Sequence, residues 1–237
     1  MTPTEQRPGN RLLRALAADD YASLAPHLSN VELEINDVLA NAGQAFKQIY
    51  FPSTAVISIV NFMSDGSGVE VGTVGDEGFA GLPAYLEAEA SEGKTFAQIR
   101  VSSTRMPVQA LISAAAERPA LRHLLNRYTQ AYMTQVAQSA ACNRLHSIEQ
   151  RCARWLLMTH DRMGGSDTIP LKHEFLALML GVRRAGVTVA AGLLQDVGLI
   201  RYRRGTIRVV DRTGLEKASC ECYAIVRRHF DRLLPQS

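Results

Sequence analysis

The first part of the chain alternates apolar and polar side chains in short segments, which is the pattern of β-strands. The stretch from Val31 to Ile35 alternates strictly. Further β-rich segments follow at 48–51, 55–60, 69–74, 96–101 and 104–108. Turn residues such as Ser64-Asp65-Gly66 separate them, so consecutive segments are expected to pair as antiparallel hairpins. After helical stretches at 11–18 and 20–28, residues up to 118 therefore predict a small antiparallel β-roll.

From Pro119 onward the periodicity becomes helical, with the proline in the first turn where its missing N–H costs nothing. Residues seven apart form two series typical of the a and d positions of a coiled coil: Leu121, Tyr128, Gln135, Cys142 and Leu124, Ala131, Gln138, Leu145. The pattern has two interpretations. The helix either joins two chains in a dimer, or packs this face on the chain's own β-domain.

The last part of the chain has the pattern of a winged helix-turn-helix. Helices are predicted at 147–163, 171–180, 184–196 and 213–233, and strands at 199–203 and 206–210. Two helices joined by a tight glycine turn and followed by a hairpin are typical of this motif. We therefore predict an α+β fold with a β-roll at 1–118, a dimerisation helix at 119–145 and a winged helix-turn-helix domain at 146–237.

The charge is divided unevenly along a chain of ordinary globular composition, with 46% hydrophobic residues and a formal net charge of +3. Residues 1–145 carry 11 Lys and Arg against 14 Asp and Glu, a net −3, whereas residues 146–237 carry 15 against 9, a net +6. The densest stretch, 201–212, has five arginines and one carboxylate. Such a run can be a solvated surface, but beside a helix-turn-helix it favours binding to nucleic acid.

The second helix of the motif would present its polar face to the DNA major groove. That face includes Arg184, which can fork to guanine, together with Thr188 and Val189, which can contact a base or a thymine methyl group. Arg183, the last residue of the turn before this helix, is a further predicted DNA contact. The predicted phosphate contacts, which position a protein without specifying sequence, are His173, Arg201, Arg203 and Arg204.

The four cysteines, Cys142, Cys152, Cys220 and Cys222, lack the paired spacing of a zinc or iron-sulfur motif. Cys220 and Cys222 lie two apart on a predicted helix, which would point them to different sides and separate them as ligands. We therefore predict buried, reduced thiols, no metal and no cofactor.

No motif of an enzyme active site stands out, and the six histidines do not cluster at metal-ligand spacing. No apolar run approaches the 18 residues of a membrane span, and the first ten residues are too polar for a secretory signal. These observations predict a cytoplasmic protein that is neither an enzyme nor a partner of membranes.

Three stretches, 174–184, 193–200 and 207–211, resemble the DNA-binding domain of Crp/Fnr-type bacterial transcription regulators. The resemblance extends to the order of β-roll, long helix and winged helix over nearly the whole chain. It implies a homodimer joined through the long helix, a cyclic-nucleotide-binding-like β-roll, and transcriptional control beside RNA polymerase. Of the Arg-Glu…Arg set with which the best-known members read guanine, only Arg184 matches, which implies a different target sequence.

The resemblance also indicates where a small-molecule effector would bind. Nucleotide-binding members hold the ribose with Gly-Glu and the phosphate with Arg-Ser or Arg-Thr, and the nearest matches here are Gly81-Leu82 and Lys94-Thr95. Leucine cannot accept a hydrogen bond from a ribose hydroxyl, and lysine lacks the guanidinium fork. The β-roll is thus expected to sense something other than cyclic AMP, or to have lost ligand control.

Together these patterns predict a sequence-specific DNA-binding transcription regulator that acts as a homodimer on a palindromic site. The alternative is a ligand- or protein-binding regulatory module whose winged helix does not bind DNA.

Overall fold

The computed structural model describes residues 9–54 and 56–234. The helices are α1 (Arg11–Arg14), α2 (Ala18–Leu24), α3 (Leu82–Tyr85), α4 (Val108–Glu117), α5 (Pro119–Leu145), α6 (Ile148–Asp161), α7 (His173–Leu180), α8 (Arg184–Asp196), α9 (Arg212–Ala218) and α10 (Cys222–Leu233), with a 3-10 turn at Ala25–His27. The strands are β1 (Ser29–Leu33), β2 (Val38–Ala40), β3 (Gln48–Thr54), β4 (Ile57–Phe62), β5 (Gly68–Val74), β6 (Lys94–Ala97), β7 (Val101–Pro107), β8 (Thr168–Pro170), β9 (Ile200–Arg203) and β10 (Thr206–Val209).

The strands form three sheets. Two belong to the β-rich part of the chain, with the strand orders β1-β7-β3 and β2-β6-β4-β5, and the third, β8-β10-β9, is the wing. The predicted α+β fold, with an antiparallel β-domain, a long helix and a C-terminal helix-turn-helix, is confirmed. The sequence analysis missed β8, a three-residue strand that ends in proline.

The chain divides into two compact units. The first comprises the described parts of Met1–Ile59, Thr73–Met133 and Phe230–Ser237, and the second comprises Val60–Gly72 and Thr134–His229. The hairpin between β4 and β5 is thus grouped with the winged helix. The sole tryptophan belongs to this second unit, where Trp155 Nε1 donates a hydrogen bond of 2.9 Å to Glu70 Oε1 of that hairpin.

The core of the first unit is built around the buried ring of Phe79. The rings of Phe51, Tyr85 and Tyr128 lie 5.8, 5.9 and 4.8 Å from it between centroids. The Tyr128 hydroxyl donates a hydrogen bond to the Phe79 carbonyl over 2.9 Å, so the buried tyrosine has a partner for its polar group as well as packing for its ring. A methyl group at Gly78 would overlap the Tyr128 ring, which explains a glycine at that position.

One polar side chain fixes the start of the first unit. Asn10 is fully buried, accepts a hydrogen bond from the Leu13 amide as the N-cap of α1, and donates to the carbonyls of Pro52 and Gly78, each over 2.8 Å. All of its hydrogen bonds are therefore internal, as burial requires. The contacts attach α1 to β3 and to the loop after β5.

The series Leu121, Tyr128, Gln135 and Cys142 on α5 is buried within the chain. This series is therefore covered by the chain itself and is not a seam between two chains. The alternative of packing on the β-domain fits Tyr128, which lies against Phe79, whereas Cys142 packs against Cys220 and Cys222 of the second unit. In the companion series Ala131 is buried and Leu145 is 74% exposed, so that series does not form a continuous seam either.

The predicted final helix at 213–233 is also wrong as a single element. It is broken into α9 and α10 by the connection Ser219-Cys220-Glu221, where Ser219 has extended backbone angles. Apolar residues continue at helical spacing across this break, so the sequence pattern gives no sign of it. Cys220 therefore lies in a connection between helices.

Among the described helices, none is by itself long and apolar enough to cross a membrane. The pair α7 and α8, bent by 105°, meets that criterion only when both helices are counted together.

Candidate nucleic-acid interface and effector cavity

The helix α8 has one buried face and one exposed face, as its sequence pattern predicts. Val187, Ala191 and Leu194 are buried, whereas Arg184 and Val189 are 66% and 61% exposed. Thr188 shares the exposed face. The turn before α8 is held by Gly181, whose φ of 60° is left-handed and favours glycine, and by a hydrogen bond from the Val182 amide to the Ala177 carbonyl.

Polar contacts connect the first residues of α7 and α8. Arg184 Nη1 lies 2.9 Å from Glu174 Oε1, and both side chains are more than half exposed. Thr188 Oγ1 donates to the Arg184 carbonyl and lies 3.1 Å from His173 Nδ1. Because both side chains are exposed, water and salt weaken this ion pair, so the Arg184 guanidinium can leave Glu174.

His173 connects α8 to the wing. Its ring stacks on that of Tyr202 with 4.1 Å between centroids, and its Nδ1 contacts Thr188. Its Nε2 is buried without a hydrogen-bond partner among the described residues. Burial, and then the neighbouring Arg184 guanidinium, hold the pKa of His173 below its usual range, so the ring is neutral at pH 7. Its described contacts are those of a residue that positions α8, and the phosphate contact stays a prediction.

We expect His173 to make the stability of the protein depend on pH. Because its pKa is lower in the folded chain than in the unfolded one, the unfolded chain binds more protons below about pH 6.5. The stabilising contribution of the neutral ring is present above that pH and is lost as the pH falls toward the folded-state pKa. Urea unfolding between pH 5 and 8 should show this loss in the wild type and not in His173→Phe.

If the difference in unfolding free energy between the wild type and His173→Phe were the same at all these pH values, the assignment of a neutral, partly buried ring to His173 would be incorrect.

The wing presents arginines on one face of its β9–β10 hairpin. Arg201 is paired directly with Arg208, and Arg203 with Thr206, so these side chains share a face of the sheet. The opposite face carries Ile200 and Ile207, which are buried. Like charges that face each other across strands are destabilising, which favours an anion as the partner of this face. Arg208 thus lies on the same face as Arg201 and Arg203.

The tip of the wing is a two-residue turn at Arg204-Gly205 with φ of 50° and 77°. A left-handed conformation at both positions is that of the tightest hairpin connections. It places Arg204 at the end of the hairpin, and the side chain is exposed. Within β9, the Tyr202 amide donates to Gln195 Oε1 over 2.8 Å, which attaches this strand to α8. Sequence reasoning missed both Tyr202 and Gln195, since neither has a charge that would draw attention to it.

A separate cavity of about 330 Å³ lies in the first unit. Its wall includes Phe46, Ile59, Val74, Phe79, Leu82, Leu86 and Tyr132. Of the four predicted effector residues, Gly81, Leu82 and Thr95 line this cavity. Lys94 does not, and its ammonium instead lies 5.8 Å from the centroid of the Phe96 ring.

The walls of this cavity are mostly apolar. None of its lining residues is charged, and the hydroxyl of Thr95 is buried without a hydrogen-bond partner among the described residues. A phosphate in such a cavity would lose its hydration without gaining a cation. A mostly apolar molecule with one hydrogen-bonding group fits the walls better.

The cysteines are arranged differently from the prediction. Cys142, Cys220 and Cys222 are buried together and lie beside His146, whereas Cys152 is a separate buried thiol. Burial raises the pKa of Cys152 to about 12, which keeps it protonated and unreactive. The expectation that Cys220 and Cys222 point apart is wrong, because Cys220 precedes α10.

Comparison with known proteins agrees with this geometry. Residues 150–218 match the model of the Crp-like helix-turn-helix domain. No curated protein sequence matches the chain.

Solved structures share the fold over most of the chain. A transcriptional regulator of the Crp/Fnr family from Eubacterium rectale is 16% identical, with 87% of this chain and 96% of that chain covered and a TM-score of 0.69. FixK2 from Bradyrhizobium japonicum is 16% identical, with coverages of 81% and 98% and a TM-score of 0.69. The c-di-GMP-responsive regulator CLP from Xanthomonas campestris is 15% identical, with coverages of 81% and 99% and a TM-score of 0.63. Residues 150–218 thus match the Crp-like helix-turn-helix domain, and the chain shares its fold with solved regulators of the Crp/Fnr type.

Proposed function

We propose that the chain regulates transcription by placing α8 in the major groove of DNA and its wing on the phosphate backbone. The observation that carries the proposal is the arginine face of the wing next to the exposed face of α8. Arg201, Arg203 and Arg208 are exposed, and none forms an ion pair among the described residues. Phosphates of a duplex supply the anions that this face lacks within the described chain.

Sequence recognition is assigned to the exposed face of α8. Arg184 can donate two hydrogen bonds to guanine once it leaves Glu174, and Thr188 and Val189 lie one turn further along the same face. Arg183 is the N-cap residue just before α8, where positive charge and the free backbone N–H groups of the helix start suit a phosphate. His173 and Arg204 complete the set of proposed contacts.

We assign dimerisation to a face of α5 other than the predicted seam. Met133 is 59% exposed, and the small residues Ala137, Ala140 and Ala141 are exposed along the following turns. A second copy of α5 would cover this face, which makes the target a palindrome with half-sites about one helical turn apart. The division at residues 118 and 145, a cytoplasmic location, action beside RNA polymerase and the absence of enzymatic activity remain parts of the same proposal.

The cavity of the first unit is the proposed effector site, with Thr95 as its hydrogen-bonding group. The absence of a charged side chain from its lining argues against cyclic AMP, which would place its phosphate among apolar walls. Adding cyclic AMP should therefore leave the melting temperature of the protein unchanged, whereas a small uncharged ring compound that fills the cavity should raise it. A rise with cyclic AMP would contradict this assignment.

Sedimentation of the purified protein with a labelled duplex tests the proposed function. We expect two chains per duplex at low salt. A failure to bind any duplex, in the presence or absence of the cavity ligand, would favour the alternative of a protein-binding winged helix.

A further inference from the structure

Four side chains of the second unit converge at one point. Cys142 lies near the end of α5, and His146 is the residue that follows this helix. Cys220 lies in the connection before α10, and Cys222 is the first residue of α10. Their sulfur and nitrogen atoms all lie within 4.8 Å of one another. The three cysteines are 0%, 4% and 0% exposed.

Two of the distances between these atoms are close to those expected around a single tetrahedral ion. Zinc bonds of about 2.3 Å to sulfur and about 2.0 Å to nitrogen separate two sulfurs by about 3.8 Å and a sulfur from a nitrogen by about 3.5 Å. Cys142 Sγ lies 3.5 Å from Cys220 Sγ, and Cys222 Sγ lies 3.5 Å from His146 Nδ1. A cluster of several irons would need its ligands further apart than one ion does.

The surroundings of the four groups are those of a metal site. His146 Nε2 lies 3.2 Å from the Glu221 carboxylate, which fixes the ring with Nδ1 directed at the three sulfurs. A carboxylate behind the imidazole is the usual orienting partner of a metal-bound histidine. Gln138 Nε2 donates to Cys222 Sγ over 3.1 Å, a contact that stabilises a thiolate.

We propose that Cys142, His146, Cys220 and Cys222 bind one Zn²⁺ ion as a closed, four-coordinate structural site. Thiolate and imidazole ligands in a tetrahedron select zinc, and four protein ligands leave no open position for catalysis. The site ties the end of α5 to the α9–α10 connection. Because the whole winged helix lies between these two points in the chain, zinc stabilises the DNA-binding unit in its folded form.

Metal analysis and cobalt titration of the full chain test the proposal. Protein purified with a reductant should contain one zinc per chain. After the zinc is removed, Co²⁺ should restore the visible bands of tetrahedral cobalt and the sulfur-to-cobalt charge-transfer band, with saturation at one equivalent and displacement by Zn²⁺. This titration uses the wild-type protein, so it does not depend on whether a variant folds.

Two variants and a control locate the site. Cys220→Ser should weaken the charge-transfer band and lose the zinc, and Glu221→Ala should weaken metal affinity about 10- to 100-fold through the imidazole. Cys152→Ala removes the separate buried thiol and should keep one metal per chain. The proposal is wrong if the reduced wild type binds no cobalt, if the charge-transfer band keeps its wild-type intensity in Cys220→Ser, or if Cys152→Ala abolishes the cobalt bands. A thiol titration of the reductant-treated protein after denaturation should find all four free thiols. If it finds only two, Cys142 and Cys220 form a disulfide and the zinc proposal is wrong.

Discussion

The affinity of the protein for double-stranded DNA should fall by about 10³- to 10⁵-fold between 50 and 200 mM salt. This range is expected for six to ten phosphate contacts, because each contact displaces condensed counterions from the DNA. The arginine face of the wing supplies at least three cations per subunit: Arg201, Arg203 and Arg208. Two subunits therefore bring the contact number into that range.

Changing these three arginines together to alanine should weaken binding to all sequences alike. It should also make the slope of log affinity against log salt less steep by about 5, at about 0.9 for each of six contacts per dimer. Fluorescence anisotropy of a labelled duplex over a salt series gives the slope directly. Arg100→Ala, which removes an exposed arginine of the first unit, is the matched control and should leave the slope unchanged. A triple variant with the wild-type slope would mean that the wing does not contact phosphate.

Replacing Arg184 should reduce the preference for one DNA sequence over another, whereas the wing variant weakens binding to all sequences alike. A bidentate contact to guanine discriminates by about 1–3 kcal/mol. A dimer with two half-sites thus loses about 2–6 kcal/mol on its preferred palindrome in Arg184→Ala, while its affinity for unrelated duplexes changes only by the lost charge. Competition titrations with the preferred and a scrambled duplex separate the two effects.

Arg184→Lys is the sharper variant, because it keeps the charge and removes the planar fork. It should retain the affinity for scrambled DNA and lose much of the preference for the palindrome. Glu174→Gln, which frees Arg184 from its ion pair, should preserve the preference and strengthen binding slightly. Equal losses on both duplexes in Arg184→Lys would place the recognition of bases elsewhere.

The local pattern of the sequence was sufficient to predict α7, α8 and the β9–β10 hairpin, though not β8. The bounds of α8 follow from Gly181 at the preceding turn and from the spacing of its buried residues, and all of these signals lie within some fifteen residues. The exposed positions of Arg184 and Thr188 follow from the same periodicity. Arg201 and Arg203 follow likewise from the alternation of a strand.

Features that depend on the packing of distant segments could not be predicted in this way. The seven-residue series that contains Tyr128 shows that one face of α5 is apolar, and the partner that covers this face is decided by the tertiary fold. The break at Cys220 interrupts a helical pattern that continues on both sides of it. The convergence of Cys142 with Cys220 joins residues 78 apart, and no spacing rule reveals such a contact.

Selection of binding sites from a random pool of double-stranded DNA, carried out in parallel with the wild type and Arg184→Lys, shows whether α8 reads the DNA sequence. We expect the wild type to enrich a palindrome with half-sites about one helical turn apart. Arg184→Lys should enrich the same palindrome with the preference lost at one base pair in each half. Identical preferences in the two proteins would contradict the assignment of α8 as the element that reads the sequence.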